Sequence, residues 1–176
     1  MKRGNIFLIG LMGAGKTTVG RLLARRLKMR FIDSDHEVER RCGVKIPVIF
    51  EIEGEAGFRL REQQAIEELT ALDGIVLATG GGVVLAEENR RRLAAFGTVV
   101  YLRARPEDLY DRVRHDRNRP MLASGHPLAR LRELHAERDP LYRAVADLVL
   151  DTGSQSVQAL ARDLFTKLEH RWKASA

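Results

Sequence analysis

Between the apolar run Ile6-Phe7-Leu8-Ile9 and a segment of helical period stands Gly10-Leu11-Met12-Gly13-Ala14-Gly15-Lys16-Thr17. It matches every constrained position of the phosphate-loop pattern G-x-x-x-x-G-K-[ST]. Few eight-residue segments restrict a fold as much. The glycines allow a tight turn whose backbone N–H groups point inward at phosphate oxygens. The helix that follows adds its own N-terminal N–H groups and the positive end of its dipole. Lys16 supplies a point charge for the β- and γ-phosphates, and the Thr17 hydroxyl suits Mg²⁺. Such a loop works where a buried strand gives way to a helix. The chain is therefore expected to be α/β, with Gly13, Ala14, Gly15, Lys16, Thr17 and Thr18 against a nucleotide.

The rest of the chain keeps that rhythm. Short apolar runs at Asn5–Ile9, Arg30–Ile32, Ile75–Ala78, Thr98–Leu102 and Asp147–Leu150 read as strands buried on both faces. Helical stripes separate them. One is Val19, Leu22, Leu23 and Leu27; another is Phe58, Ala65, Ile66, Leu69 and Leu72; the last runs from Val157 through Leu160, Ala161, Leu164 and Phe165 to Leu168. Pro106 before Glu107 and Asp108 predicts a helix start. Asp139-Pro140 predicts the end or a sharp bend of the helix before it. Two regions interrupt the alternation. Residues 34–61 read as a short, charge-rich helical excursion, and residues 112–126 as a basic stretch open to two readings, a solvated loop or a phosphate-covering lid.

At 176 residues the chain suits one domain, 1–176, with those two regions as insertions. The net charge of +6 admits nucleic acid or a small anionic substrate as partner. Aromatic residues at 6% offer no row of base-stacking platforms, and Arg90-Arg91-Arg92 reads as a solvated helix face. Cys42 stands alone, so an internal disulfide and a multi-cysteine metal site are excluded, consistent with a reducing cytoplasm. The five histidines lack metal-ligand spacing. Lys2 and Arg3 before the first apolar run faintly suggest a signal peptide, but the run is short and meets Gly10 and Lys16. No apolar stretch approaches the roughly 20 residues of a membrane span. No guanine-reading Asn-Lys-x-Asp element is present, which disfavours a GTPase switch. A small phosphotransferase fits best.

An acceptor site is suggested by Asp33-Ser34-Asp35, two carboxylates on one strand face at the carboxyl edge of the sheet. One acid can steer Mg²⁺ and its waters while the other receives a hydroxyl proton. A helix cap would explain one of them, and Asp35 can cap while still facing the site. Gly80-Gly81-Gly82 after the third strand allows close approach of a ligand to the backbone, or is a flexible turn. Arg59 in Gly57-Phe58-Arg59 and Arg138 in Arg138-Asp139-Pro140-Leu141-Tyr142 each sit near an element end.

Taken together with Arg119-Pro120-Met121-Leu122, these motifs stand in the order and near the spacing of the shikimate kinase family, which the chain resembles from about Asn5 to Leu168. The resemblance implies a nucleoside-monophosphate-kinase-like fold, a five-stranded parallel sheet of order 2-3-1-4-5. It implies transfer of the ATP γ-phosphate to the 3-hydroxyl of shikimate, within aromatic amino-acid synthesis. The chain is expected to use one Mg²⁺ per subunit, to act in the cytoplasm as a monomer, and to have no nucleic-acid or membrane partner. Asp35 would bind acceptor hydroxyls and act as base. Asp33 would support Mg²⁺ through water, beside Thr17. Arg59 and Arg138 would hold the shikimate carboxylate, with Gly80, Gly81 and Gly82 along the ring. Lys16 and Arg119 would meet the phosphates, and Gln155 would lie near the adenine. The chain departs from the family pattern at Leu11, where proline is frequent, and at Thr17, where serine is frequent. The segment Glu169–Ala176 has no family counterpart in function. The alternatives are a similar kinase acting on gluconate or a nucleoside monophosphate, and an ATP-dependent nucleic-acid-binding regulator.

Overall fold

The structure, a computed structural model, describes residues 4–115 and 125–174. Strand β1 (Asn5–Ile9) feeds the glycine-rich loop and helix α1 (Lys16–Leu27); β2 (Arg30–Asp33) then leads into α2 (Ser34–Cys42) and α3 (Ile46–Thr70). After β3 (Ile75–Ala78) come a 3₁₀ turn (Val83–Leu85), α4 (Glu87–Phe96), β4 (Gly97–Arg103), α5 (Pro106–Val113), α6 (Pro127–Val145), β5 (Leu148–Asp151) and α7 (Val157–Ala174). The strands form one sheet in the order β2-β3-β1-β4-β5, every pair parallel. That is the order the family resemblance implies. Successive residues of a strand face opposite sides, yet Ile6, Phe7, Leu8 and Ile9 are all fully buried, so both faces of the sheet are covered. Helices α1 and α7 pack together, with α1 against β1, β2 and β3, while α4 and α6 pack together and against β4.

Register decides where chemistry can gather. Leu8 pairs with Ala78, and Ala78 with Asp33, so β1, β3 and β2 end level with one another. The glycine-rich loop, the Asp33-Ser34-Asp35 segment and the Gly80–Gly82 run therefore leave the sheet at one edge. The strand order reverses at β1, which is where open α/β sheets bind ligands.

Several expectations need correction. The helix of Asp139-Pro140 does not end there: α6 runs from Pro127 to Val145 with Pro140 in its interior. Proline removes one N–H rung, but side chains on either side hold the helix. Tyr101 and Arg143 both donate to Asp139, at 2.8 and 2.7 Å. The charge-rich excursion is two helices rather than one short one. α3 passes through a break at Gly54, whose φ of 70° only glycine adopts readily, and Arg61 bridges it to Glu53 at 2.6 Å. Leu72 falls beyond the end of α3 and is exposed. Arg90 and Arg92 are not simply solvated. Arg90 donates to the Val84 carbonyl at 2.6 Å and Arg92 to Thr70 Oγ1 at 3.1 Å, tying α4 to its neighbours. Arg112 and Val113, expected at the start of a lid, complete α5.

Candidate active site

A cleft of about 700 Å³ lies along the edge where the three strands end. One side is the glycine-rich loop from Met12 to Thr18; Asp33, Asp35, Thr79 and Gly81 stand at the other, and Arg112 and Gln155 complete the wall. The loop has the shape its sequence demands. Gly13 and Gly15 hold φ of 80° and 97°, in the region that side chains avoid. Lys16 is only 8% exposed, and its Nζ donates to the Gly10 and Leu11 carbonyls at 2.6 and 2.9 Å. Arg112 donates to the Gly13 carbonyl and to that of Thr152, each at 3.0 Å. It thereby links the loop to the segment carrying Gln155. The sequence places Arg112 only in a basic stretch, and its position beside Leu109 and Val113 gives no local signal of this role.

The two aspartates divide their work. Asp33, not Asp35, caps α2: its Oδ1 accepts from the N–H groups of Asp35 and His36 at 3.0 and 3.3 Å. The backbone at Asp33 is still extended, so its side chain folds forward over the first turn, whereas Asp35 already lies within that turn. Asp33 Oδ2 accepts the Thr17 hydroxyl at 2.7 Å. This joins the end of β2 to the phosphate loop through two hard oxygen donors, a set that suits Mg²⁺.

Asp35 points the other way. A Cβ placed on Gly80 would meet Asp35 Oδ1 at 2.7 Å and Glu62 Oε2 at 2.8 Å, so two carboxylates crowd one glycine. Glu62 is 1% exposed. Burial pushes its carboxyl up to about 7, an effect that Arg59 and Arg138 oppose and the charge of Asp35 reinforces. No motif nominates Glu62, although the spacing Phe58, Glu62, Ala65, Ile66, Leu69 sets it inside an apolar stripe. A carboxylate on a core-facing position is itself a signal. Its raised pKa has a sign that can be tested. The protonated form contributes stability fully below the ordinary value near 4.5, and that contribution is lost as pH rises through about 7. The stability difference between wild type and Glu62→Gln should therefore tilt against wild type between about pH 5 and pH 8, as urea unfolding at both would read. A difference that grows in favour of wild type would mean the charged form is the one this site stabilises.

The two arginines flank the glycine run. Arg59 donates to Glu62 at 2.9 Å and to Glu55 at 3.2 Å, and a Cβ on Gly82 would strike its guanidinium. Arg138, 2% exposed, sits with Nη1 at 3.5 Å from a Cβ on Gly81. The Nε atoms of both arginines are buried without a hydrogen bond among the described residues. The Gly80 N–H donates to Ser34 Oγ at 3.1 Å, while the N–H groups of Gly81 and Gly82 engage no described residue. Two guanidinium groups and two backbone N–H groups around one glycine run have the chemistry that can hold a small anion with a planar head. The expected phosphate contact Arg119 lies outside the described residues, as do 116–124 of the expected lid. Among the described residues, no cluster of three or more metal-ligating side chains occurs, and no helix is long and apolar enough to cross a membrane.

Comparison with known proteins places this arrangement. The sequence model of the shikimate kinase family matches residues 12–169. The chain is 62% identical over 168 residues to a shikimate kinase of Thiobacillus denitrificans, covering 96% of this chain and 92% of the relative. It is 62% identical over 169 residues to a shikimate kinase of Ralstonia nicotianae, covering 96% and 89%. Among solved structures, shikimate kinase from Acinetobacter baumannii in complex with shikimate superimposes with a TM-score of 0.94 at 47% identity, over 96% of this chain and 94% of that one.

Proposed function

This chain belongs to the shikimate kinase family and is an ATP-dependent phosphotransferase acting on shikimate; we propose that it moves the γ-phosphoryl group of ATP to the 3-hydroxyl, with the following division of labour. The loop from Gly13 to Thr18 cradles the phosphates, Lys16 counters the charge that develops on them, and Gln155 lies at the adenine end. Thr17 would ligate Mg²⁺ directly and Asp33 would hold it through water; bound there, the ion neutralises charge across the phosphates. Asp35 takes the proton of the acceptor hydroxyl as its oxygen bonds to the γ-phosphorus and the bridging P–O bond breaks, releasing ADP. Arg59 and Arg138 grip the shikimate carboxylate, Gly80, Gly81 and Gly82 line its ring, and Arg119 meets the phosphates. Because every one of these groups comes from one chain, a monomer suffices for the reaction. Two of the α4 arginines already serve the fold, which weakens the case for nucleic acid. With one cysteine and no disulfide, the chain suits the cytoplasm.

The observation that carries the proposal is the convergence of Asp35, Arg59 and Arg138 on one glycine run beside the phosphate loop. Such a pocket should demand an acid. Wild type is expected to phosphorylate shikimate far better than its neutral carboxamide. Arg138→Lys, which keeps the charge but loses the planar fork, should weaken shikimate binding by roughly tenfold to a hundredfold and leave ATP affinity near wild type. A coupled ADP-release assay with both acceptors checks this. Equal use of acid and amide by wild type would remove the carboxylate clamp.

A further inference from the structure

The three carbonyls of the Gly80–Gly82 run are not held alike. Those of Gly80 and Gly82 accept from Val83 and Leu85 at 3.2 and 3.1 Å, within the turn that follows. The middle one, Gly81, is taken by the Tyr142 hydroxyl, which reaches across from α6. Tyr142 is fully buried, and its phenol lies beside the Arg138 guanidinium, one helical turn away. We propose that the Tyr142 hydroxyl is a positioning residue for the acceptor end, fixing the Gly81–Gly82 peptide and the Arg138 guanidinium relative to each other. This deepens the acceptor assignment above and rests on it.

The geometry explains why one hydroxyl suffices. A trans peptide sets its C=O and N–H on opposite sides, so anchoring the Gly81 carbonyl turns the Gly82 N–H the other way. Gly82 is the residue against which the Arg59 guanidinium lies. The same hydroxyl therefore orients a backbone donor on one side and touches Arg138 on the other. Packing alone does not require the hydroxyl. The Tyr142 ring stacks on Tyr101 at 4.8 Å between centroids, and a phenyl ring would keep that contact.

Tyr142→Phe isolates the hydroxyl. It should raise the shikimate KM about tenfold, the scale of one lost hydrogen bond to a partly charged network, and leave the ATP KM within about twofold. Its preference for shikimate over the carboxamide should shrink by a similar factor. Tyr101→Phe, which frees Asp139 on the same helix but leaves the Gly81 carbonyl held, should raise the shikimate KM clearly less than Tyr142→Phe does. If Tyr142→Phe melts lower, the comparison is made at about 15 °C on protein shown folded by circular dichroism, with shikimate affinity taken by calorimetry. An unchanged shikimate affinity overturns the proposal, as does a parallel loss for ATP or an equal effect of Tyr101→Phe. A wild type that prefers the acid, with a Tyr142→Phe chain that prefers it just as strongly, defeats the positioning role alone. A wild type indifferent to acid or amide defeats the acceptor assignment and this inference together.

Discussion

A folded Lys16→Ala chain is expected to turn over at least about 10³-fold more slowly than wild type. A preorganised donor aimed at developing phosphate charge is worth roughly 10²–10³ in kcat when it is one of several neutral groups, and a full positive charge in a water-poor site is worth more. Lys16 meets both conditions: it is 8% exposed and its ammonium is held by the Gly10 and Leu11 carbonyls. Those same bonds mean that alanine also loosens the loop, so ADP affinity and the melting temperature must be read alongside turnover. The loss in single-turnover rate at saturating ATP should far exceed the loss in ADP affinity, because the γ-phosphate contact strengthens as charge develops. Near-normal turnover in a folded Lys16→Ala protein would dispose of the phosphate-loop assignment.

Asp35→Asn should lower turnover by about 10²–10⁴, the usual range when a general base is removed, while ATP affinity changes little. The side chain stands where this test is informative. Asp35 Oδ1 lies against Gly80, on the proposed acceptor side, whereas Asp33 carries both the helix cap and the contact to Thr17. Asparagine keeps the size of Asp35 and part of its hydrogen bonding, and neither the cap nor the metal-side contact passes through it. It also removes one of the two carboxylates crowding Gly80, which relieves Glu62 of a neighbouring negative charge. Comparable losses in turnover and in ATP affinity would instead assign Asp35 a metal or structural role.

Much of this site is legible in the amino-acid sequence. The eight residues from Gly10 to Thr17 are contiguous, and their function is a backbone shape; Gly13 and Gly15 adopt the positive φ that a phosphate cradle requires. Strands buried on both faces announce themselves as unbroken apolar runs, and all five lie within one residue of their expected bounds at each end, β5 being shifted whole by one. Asp33, Asp35, Gly80–Gly82, Arg59 and Arg138 stand in family-like motifs, and parallel register then explains how segments so far apart in sequence share an edge.

What the sequence by itself determined is what short segments encode: a phosphate loop between strand and helix, an alternating α/β order, and the identity of the charged residues at element ends. The tertiary structure alone decided how those charges are used. Asp33 rather than Asp35 caps α2 because the extended backbone at β2's last residue lets its carboxylate fold over the first turn. α6 passes through Pro140, with Asp139 beside it bonded by Tyr101, on a strand 38 residues away, and by Arg143. Glu62 became part of the site only when α3 laid it beside Asp35 and both arginines, where loss of water outweighs their attraction and raises its pKa. The Tyr142 hydroxyl reaches Gly81 across 61 residues of chain. Local propensity and spacing act over a few residues, whereas desolvation and hydrogen-bond partnership depend on which distant groups packing brings within about 3 Å.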